Sequence, residues 1–190
     1  MKSEEVNEVR RSQCEVTEEV MENWTPEYII NLVDRNNLDT DTVDITNFLT
    51  KEGHIRYLDA ISSAFARISL IPDRFEKDHL YLIAQDDYEA IKVGLTKTPK
   101  DRLTALQTGN PRKLHFLYYY DPIERDLDME PFESNRTPNR HESHALSWFC
   151  GNMGNKMMGE WFHPDERAFR MMIREGIHIL RWYHGRQNPI

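Results

Sequence analysis

Residues 79 to 120 constrain the fold more than any other part of this 190-residue chain. Two short apolar stretches, residues 80–83 and 90–95, are separated by a polar turn. Apolar segments joined in this way predict an antiparallel β-hairpin. A further apolar stretch at residues 114–120 predicts a third strand. We therefore expect a small, mainly antiparallel sheet of three strands.

A helix is predicted between the second and third strands. Thr98 stands at its N-cap, Pro99 occupies its first position, and Asp101 can complete a pair resembling a capping box. Gly109 predicts the end of this helix, because glycine can adopt the left-handed conformation and the proline two residues later cannot continue a helix. The predicted order of elements in this unit is therefore strand, strand, helix, strand.

The net charge of −8 argues at first against a nucleic-acid partner, but the charge is unevenly distributed. Residues 1–72 carry 7 basic and 14 acidic side chains, whereas residues 73–120 carry 8 basic and 7 acidic ones. Several basic side chains of the second region are close in sequence: Lys92, Lys97, Lys100, Arg102, Arg112 and Lys113. They permit phosphate contacts, and an ordinary solvated surface is the alternative.

Two charged side chains are candidates for chemistry. Arg102 lies in the first turn of the predicted helix, where its charge and the helix dipole both attract a phosphate; a surface ion pair is the alternative. Glu142 belongs to a helix predicted over residues 137–150 and shares a face with Leu146 and Phe149. A carboxylate on an apolar face needs a cation, either a metal ion or an arginine. The residue types alone leave both alternatives open.

No zinc site is predicted. His141 and His144 flank Glu142, but they are three residues apart, whereas the HExxH motif needs four so that both histidines lie on one helical face. Cys14 and Cys150 are far apart and have no CxxC partner, so we expect two free thiols.

The rest of the chain is predicted to be mostly helical. Residues 1–22 are charged, and we expect a flexible acidic lead-in. Residues 23–72 form a helical accessory segment, with helices predicted from Thr25, over 43–51 with Gly53 as the stop, and over 54–70. We favour a helical layer packed on the following domain over a helix-turn-helix, because the segment is acidic. The domain itself spans residues 73–190 and ends in a helix over 164–184.

The sequence predicts no membrane partner. No apolar stretch reaches the ~18 residues that a membrane-spanning helix needs, and the first residues lack a signal-peptide pattern. We therefore expect a soluble, cytoplasmic protein.

The segment from about residue 79 to 162 resembles the GIY-YIG nuclease superfamily, in particular a branch associated with phages and bacteria. Two boxes of this branch carry the resemblance. Leu-Gln-Thr-Gly-Asn-Pro occupies residues 106–111, and Gly-Glu-Trp-Phe occupies residues 159–162.

Individual motif positions can be matched to the family. Tyr81 corresponds to the tyrosine of the first motif, and Lys92 stands where the second motif has its tyrosine. Arg102 matches the helix arginine, and Glu142 matches the metal-binding glutamate. Leu146 stands where the family often has a histidine.

The resemblance implies an α+β fold in which the three-stranded sheet is flanked by helices and preceded by the helical segment. It also implies a metal-dependent endonuclease that hydrolyses phosphodiester bonds of nucleic acid with a single Mg²⁺ or Mn²⁺ ion. DNA is favoured over RNA as the partner.

The same resemblance suggests roles for the site residues. Glu142 would hold the ion, Arg102 would stabilise the negative charge that develops, and Tyr81 would position or activate the water. Lys92 could act in proton transfer only if its pKa were lowered; otherwise it contacts a phosphate. His115, on the third strand, is either a further candidate for proton transfer or a strand histidine without function. The expected nucleic-acid-binding cations are Lys97, Lys100, Arg112 and Lys113.

A second hypothesis belongs to another functional class. The chain could be a catalytically weakened module of the same fold that binds nucleic acid or another protein. The lysine at position 92 and the leucine at position 146 motivate this alternative.

Overall fold

The computed structural model describes residues 25–34, 50–69, 73–122 and 146–187. Several predicted features lie outside these residues. They are the lead-in 1–22, the second helix up to residue 49, most of the loop 121–136, and the three side chains His141, Glu142 and His144.

The described residues form an α+β structure. Its elements in chain order are α1 (Pro26–Asp34), α2 (Lys51–Ile68), β1 (His79–Gln85), β2 (Ile91–Thr96), α3 (Pro99–Thr108), β3 (Leu114–Tyr120), α4 (helical over 146–152), β4 (Asn155–Lys156), β5 (Trp161–His163) and α5 (Glu166–Gln187). The predicted hairpin, the helix after it and the third strand are all present. The limits 114–120 predicted for the third strand are confirmed.

The sheet has five strands rather than the three predicted, in the order β3-β1-β2-β5-β4, and all neighbouring pairs are antiparallel. The two additional strands form a short hairpin that pairs with β2 through β5. β4 has two residues and β5 has three. Strands this short leave no alternating pattern in the sequence, which is why the prediction stopped at three.

One predicted helix boundary is wrong, and two are correct in position but differ from the prediction in how they cap the helix. Gly53 does not stop a helix but lies in the first turn of α2, where its N–H donates to the Thr50 hydroxyl at 3.2 Å. Thr98 precedes α3 without forming a side-chain cap, and its own N–H donates to Thr96 instead. Gly109 ends α3 with a φ of −99°, so the left-handed conformation is not used.

Helices cover both faces of the sheet. Tyr118 lies opposite Leu82 in the β1–β3 ladder and donates to the backbone of Met172 in α5. Ile61 of α2 contacts Gly176 of α5, so these two long helices form one layer. Helix α3 lies on the other face, where Arg102 reaches Tyr81. The accessory segment therefore shares its core with the sheet, as Ile29, Leu58 and Phe65 are buried in the same cluster.

In the part of the chain that is described, no helix has the length and apolarity required to cross a bilayer.

Candidate functional site

Tyr81 and Arg102 meet on the sheet face that carries α3. Arg102 Nε donates to the Tyr81 hydroxyl at 2.9 Å, and the guanidinium carbon lies 6.0 Å from the ring centroid. Tyr81 is fully buried in the centre of β1. Burial raises the pKa of the Tyr81 hydroxyl above its ordinary value, although Arg102 acts in the opposite direction. The hydroxyl is therefore a phenol at neutral pH and accepts a charge-assisted hydrogen bond.

Gly94 gives Tyr81 the room for this position. The two residues are partners across the β1–β2 ladder, so their side-chain positions share one face. A Cβ atom at Gly94 would lie 2.4 Å from the Tyr81 hydroxyl oxygen and 2.6 Å from Cζ. The phenol ring thus lies across the glycine. This is a physical reason for glycine at the third position of the Lys-Val-Gly sequence.

Lys92 forms the second polar pair of the site. It lies two residues before Gly94 on β2 and therefore on the same face as Gly94 and Tyr81. Its Nζ donates to Glu160 Oε2 at 2.9 Å. The lysine side chain is 8% exposed and the glutamate side chain 42% exposed, so a buried ammonium group is paired with a partly exposed carboxylate.

The two pairs are close enough to interact electrostatically. The negative charge of Glu160 adds to the effect of burial on the Tyr81 pKa. The Cys150 thiol of α4 is affected by the same charges. Burial raises its pKa most and Glu160 raises it further, whereas Lys156 and Lys92 lower it. Residues from β1, β2, α3 and the turn before β5 thus form one cluster, which we call the tyrosine–arginine cluster: Tyr81, Lys92, Arg102 and Glu160.

His115 is not part of this cluster. It pairs with Ala84 in the β1–β3 ladder, and Ala84 is three residues from Tyr81, so the side chains of His115 and Tyr81 point to opposite faces. His115 Nε2 lies 3.3 Å from the hydroxyl of Tyr88, which donates to Asp59 of α2 at 2.8 Å. Burial lowers the pKa of His115. The structure therefore separates His115 from the other predicted catalytic residues.

The four cations predicted to bind nucleic acid are all exposed, but they form two groups. Lys97 and Lys100 lie at the start of α3, and Lys100 pairs with Asp73 at 2.7 Å. Arg112 and Lys113 follow the other end of α3. Since ten helical residues span about 15 Å, a partner that contacts both groups must extend along the helix.

The described residues alone do not fit a metal ion. Among them, no group of three or more His, Cys, Asp or Glu side chains is placed to hold one. Glu160 is the only carboxylate that we assign to the tyrosine–arginine cluster, and Lys92 already engages it. The predicted ligand Glu142 lies outside the described residues, in the stretch of chain just before α4.

Glu160 is the residue that sequence reasoning missed. It belongs to the Gly-Glu-Trp-Phe box, in which no site residue was predicted from the sequence. In the same box, Phe162 is buried and Trp161 packs against the core. The available signal was a charged residue directly before a short apolar stretch, but its partner Lys92 is 68 positions away.

No protein-family model matches this chain, and comparisons with curated proteins and with solved structures likewise give no match.

Proposed function

We propose that this protein is an endonuclease that hydrolyses phosphodiester bonds of nucleic acid at the tyrosine–arginine cluster. The observation that carries the proposal is the 2.9 Å hydrogen bond between Arg102 and Tyr81, with a lysine on the same face. The motif resemblance of residues 79–162 to GIY-YIG nucleases also supports an endonuclease function.

Phosphodiester hydrolysis needs groups that this cluster contains. A water oxygen attacks phosphorus and the bond from phosphorus to the leaving oxygen breaks. Solvent takes up the proton that the attacking water loses and supplies the proton that the leaving oxygen gains. Negative charge on the phosphoryl oxygens is stabilised by a nearby guanidinium, which is the role of Arg102. The Tyr81 hydroxyl can orient the water by hydrogen bonding while it remains a phenol.

Lys92 is better suited to bind a phosphate than to act as a base. Its ammonium group is paired with a carboxylate at 2.9 Å, and a base needs a free lone pair. An ammonium group has three N–H donors, and the bond to Glu160 uses one of them. The others can donate to a phosphate oxygen.

A single Mg²⁺ or Mn²⁺ ion at Glu142, as the resemblance implies, would supply Lewis acidity to the scissile phosphate. DNA remains the favoured substrate class. Asp59 of the accessory helix α2 lies with Tyr88 and His115, on the face opposite Tyr81.

The test is cleavage of labelled DNA and RNA by the parent protein and by Arg102→Ala, in Mg²⁺ and in Mn²⁺. Removal of one preorganised donor to a developing charge typically lowers kcat by about 10²- to 10³-fold. Arg56→Ala is the matched control, because Arg56 is an exposed arginine of α2. Equal cleavage by the parent and the Arg102 variant would refute the assignment of the cluster.

One observation favours the alternative function, a catalytically weakened module that binds nucleic acid or another protein. Tyr81 is 0% exposed and Lys92 is 7% exposed, so a substrate phosphate has little direct access to either group. A module of this kind would bind labelled nucleic acid or a protein partner without metal-dependent turnover. The cleavage assay, combined with a binding assay on the same labelled substrates, distinguishes the two functions.

A further inference from the structure

The ion pair between Lys92 and Glu160 is the one polar feature of the cluster that the motif resemblance does not explain. It joins β2 to the turn before β5, and the backbone reinforces this connection because Val93 N donates to Glu160 O at 3.1 Å. The carboxylate is thus held by its own main chain beside the strand that carries Lys92.

Burial makes the partner necessary for Lys92. An ammonium group on a side chain that is 8% exposed is costly unless a charge of opposite sign compensates it. Hydrophobic residues of similar volume would often serve stability equally well, so stability alone is a weak reason for a buried ion pair. The position of this pair, on the face of Tyr81 and beside Gly94, suggests a second role.

We propose that Glu160 is a positioning residue for Lys92. Its carboxylate fixes the direction of the ammonium group, so that Lys92 presents a stationary positive charge to the scissile phosphate. Glu160 itself contacts neither the attacking water nor the scissile phosphate in this reaction. This inference rests on the proposed endonuclease function and deepens it by assigning a role to a residue of the Gly-Glu-Trp-Phe box.

A purely structural ion pair and a positioning pair differ in what a neutral replacement does. In the double variant Lys92→Met with Glu160→Met, no charge remains buried, and folding stability should be kept or improved. If neither residue takes part in the reaction, cleavage is also kept. If a folded double variant loses cleavage, the pair acts in the reaction, and Glu160→Gln, which keeps Lys92, then tests whether Glu160 positions the lysine.

The experiment measures kcat, KM and the urea midpoint for the parent, the double variant, Glu160→Gln and Glu166→Gln. Glu166→Gln is the matched control, because its carboxylate pairs with Arg170 at 3.0 Å on α5 and its side chain is 63% exposed. We expect Glu160→Gln to lower kcat by about 10- to 100-fold, because displacing a catalytic group by about 1 Å lowers the rate by up to about 100-fold. The KM should change by less than about 3-fold. The Glu166 variant should match the parent.

The outcomes separate this inference from the proposed function. If the parent shows metal-dependent cleavage and Glu160→Gln has the same kcat, the positioning role is refuted while the endonuclease stands. A folded double variant with parental cleavage refutes it in the same way. If the parent shows no metal-dependent cleavage, the proposed function fails and the inference fails with it.

Discussion

Gly94 is the position where a single added methyl group should disturb the candidate site most. In Gly94→Ala the new Cβ would lie 2.4 Å from the Tyr81 hydroxyl oxygen, 2.6 Å from Cζ and 3.0 Å from Cε1. These distances are too short for carbon contacts, so the ring must move. Because Tyr81 is 0% exposed, the ring has packed neighbours on every side, and its movement also breaks the hydrogen bond from Arg102.

The expected loss of stability follows from two opposing effects. Overpacking of a dense core costs about 1–3 kcal/mol. Alanine instead of glycine in a strand interior recovers about 0.5–1 kcal/mol of conformational entropy. We therefore expect the free energy of unfolding of Gly94→Ala to fall by about 1 kcal/mol, and by no more than about 2.5 kcal/mol. Cleavage should fall further, by about 10²-fold, because a 1 Å displacement of a catalytic group has that effect.

Urea denaturation of the parent, Gly94→Ala and Gly109→Ala tests this expectation. Gly109 is the matched control, since a Cβ there meets nothing within 4 Å and its φ of −99° suits alanine. That variant should be unchanged or up to about 1 kcal/mol more stable. If Gly94→Ala is also as stable as the parent, Tyr81 does not lie across Gly94 and the geometry of the cluster is wrong.

Two further predictions concern ionisable groups. Burial lowers the pKa of His115 in the folded protein below the value of about 6.5 expected in the unfolded chain. The neutral histidine therefore contributes its full stability above about pH 6.5, and this stability is lost as the pH falls from there through the pKa of the folded state. His115→Gln should therefore weaken the dependence of the unfolding free energy on pH in this acidic range without lowering kcat, and a large fall in kcat would place His115 in the reaction after all. Burial and then Glu160 raise the pKa of Cys150, so in a Cys14→Ser background the thiol should react slowly with iodoacetamide and faster after Glu160→Gln. An unchanged rate would show that the carboxylate is not near the thiol.

The sheet was predictable where its strands are long. β1, β2 and β3 are apolar stretches of six or seven residues bounded by polar turns, and this pattern is visible without any tertiary contact. The hairpin of β4 and β5 was not predictable, since its strands are held by pairing with β2 and not by a pattern of their own. Likewise, Gly53 was mistaken for a stop because the capping role of Thr50 was not recognised.

The candidate site was predictable in part for the same reason. Tyr81, Lys92 and Arg102 lie within one local unit, and the structure brings them onto one face of the sheet. The face of His115 depends on the register of β3, which shifts between Leu82 and Ile83, and such a shift has no sequence signal. Glu160 depends on a contact across 68 positions, which local patterns do not encode.

The most direct test of the central claim is single-turnover cleavage of labelled DNA by the parent and by Glu142→Ala in Mg²⁺ or Mn²⁺. A DNA-binding measurement on both proteins is made in parallel. We predict metal-dependent cleavage by the parent, and a loss of cleavage in the variant while the protein still binds DNA. No metal-dependent cleavage by the parent, or equal cleavage by both proteins, would contradict the endonuclease proposed for this chain.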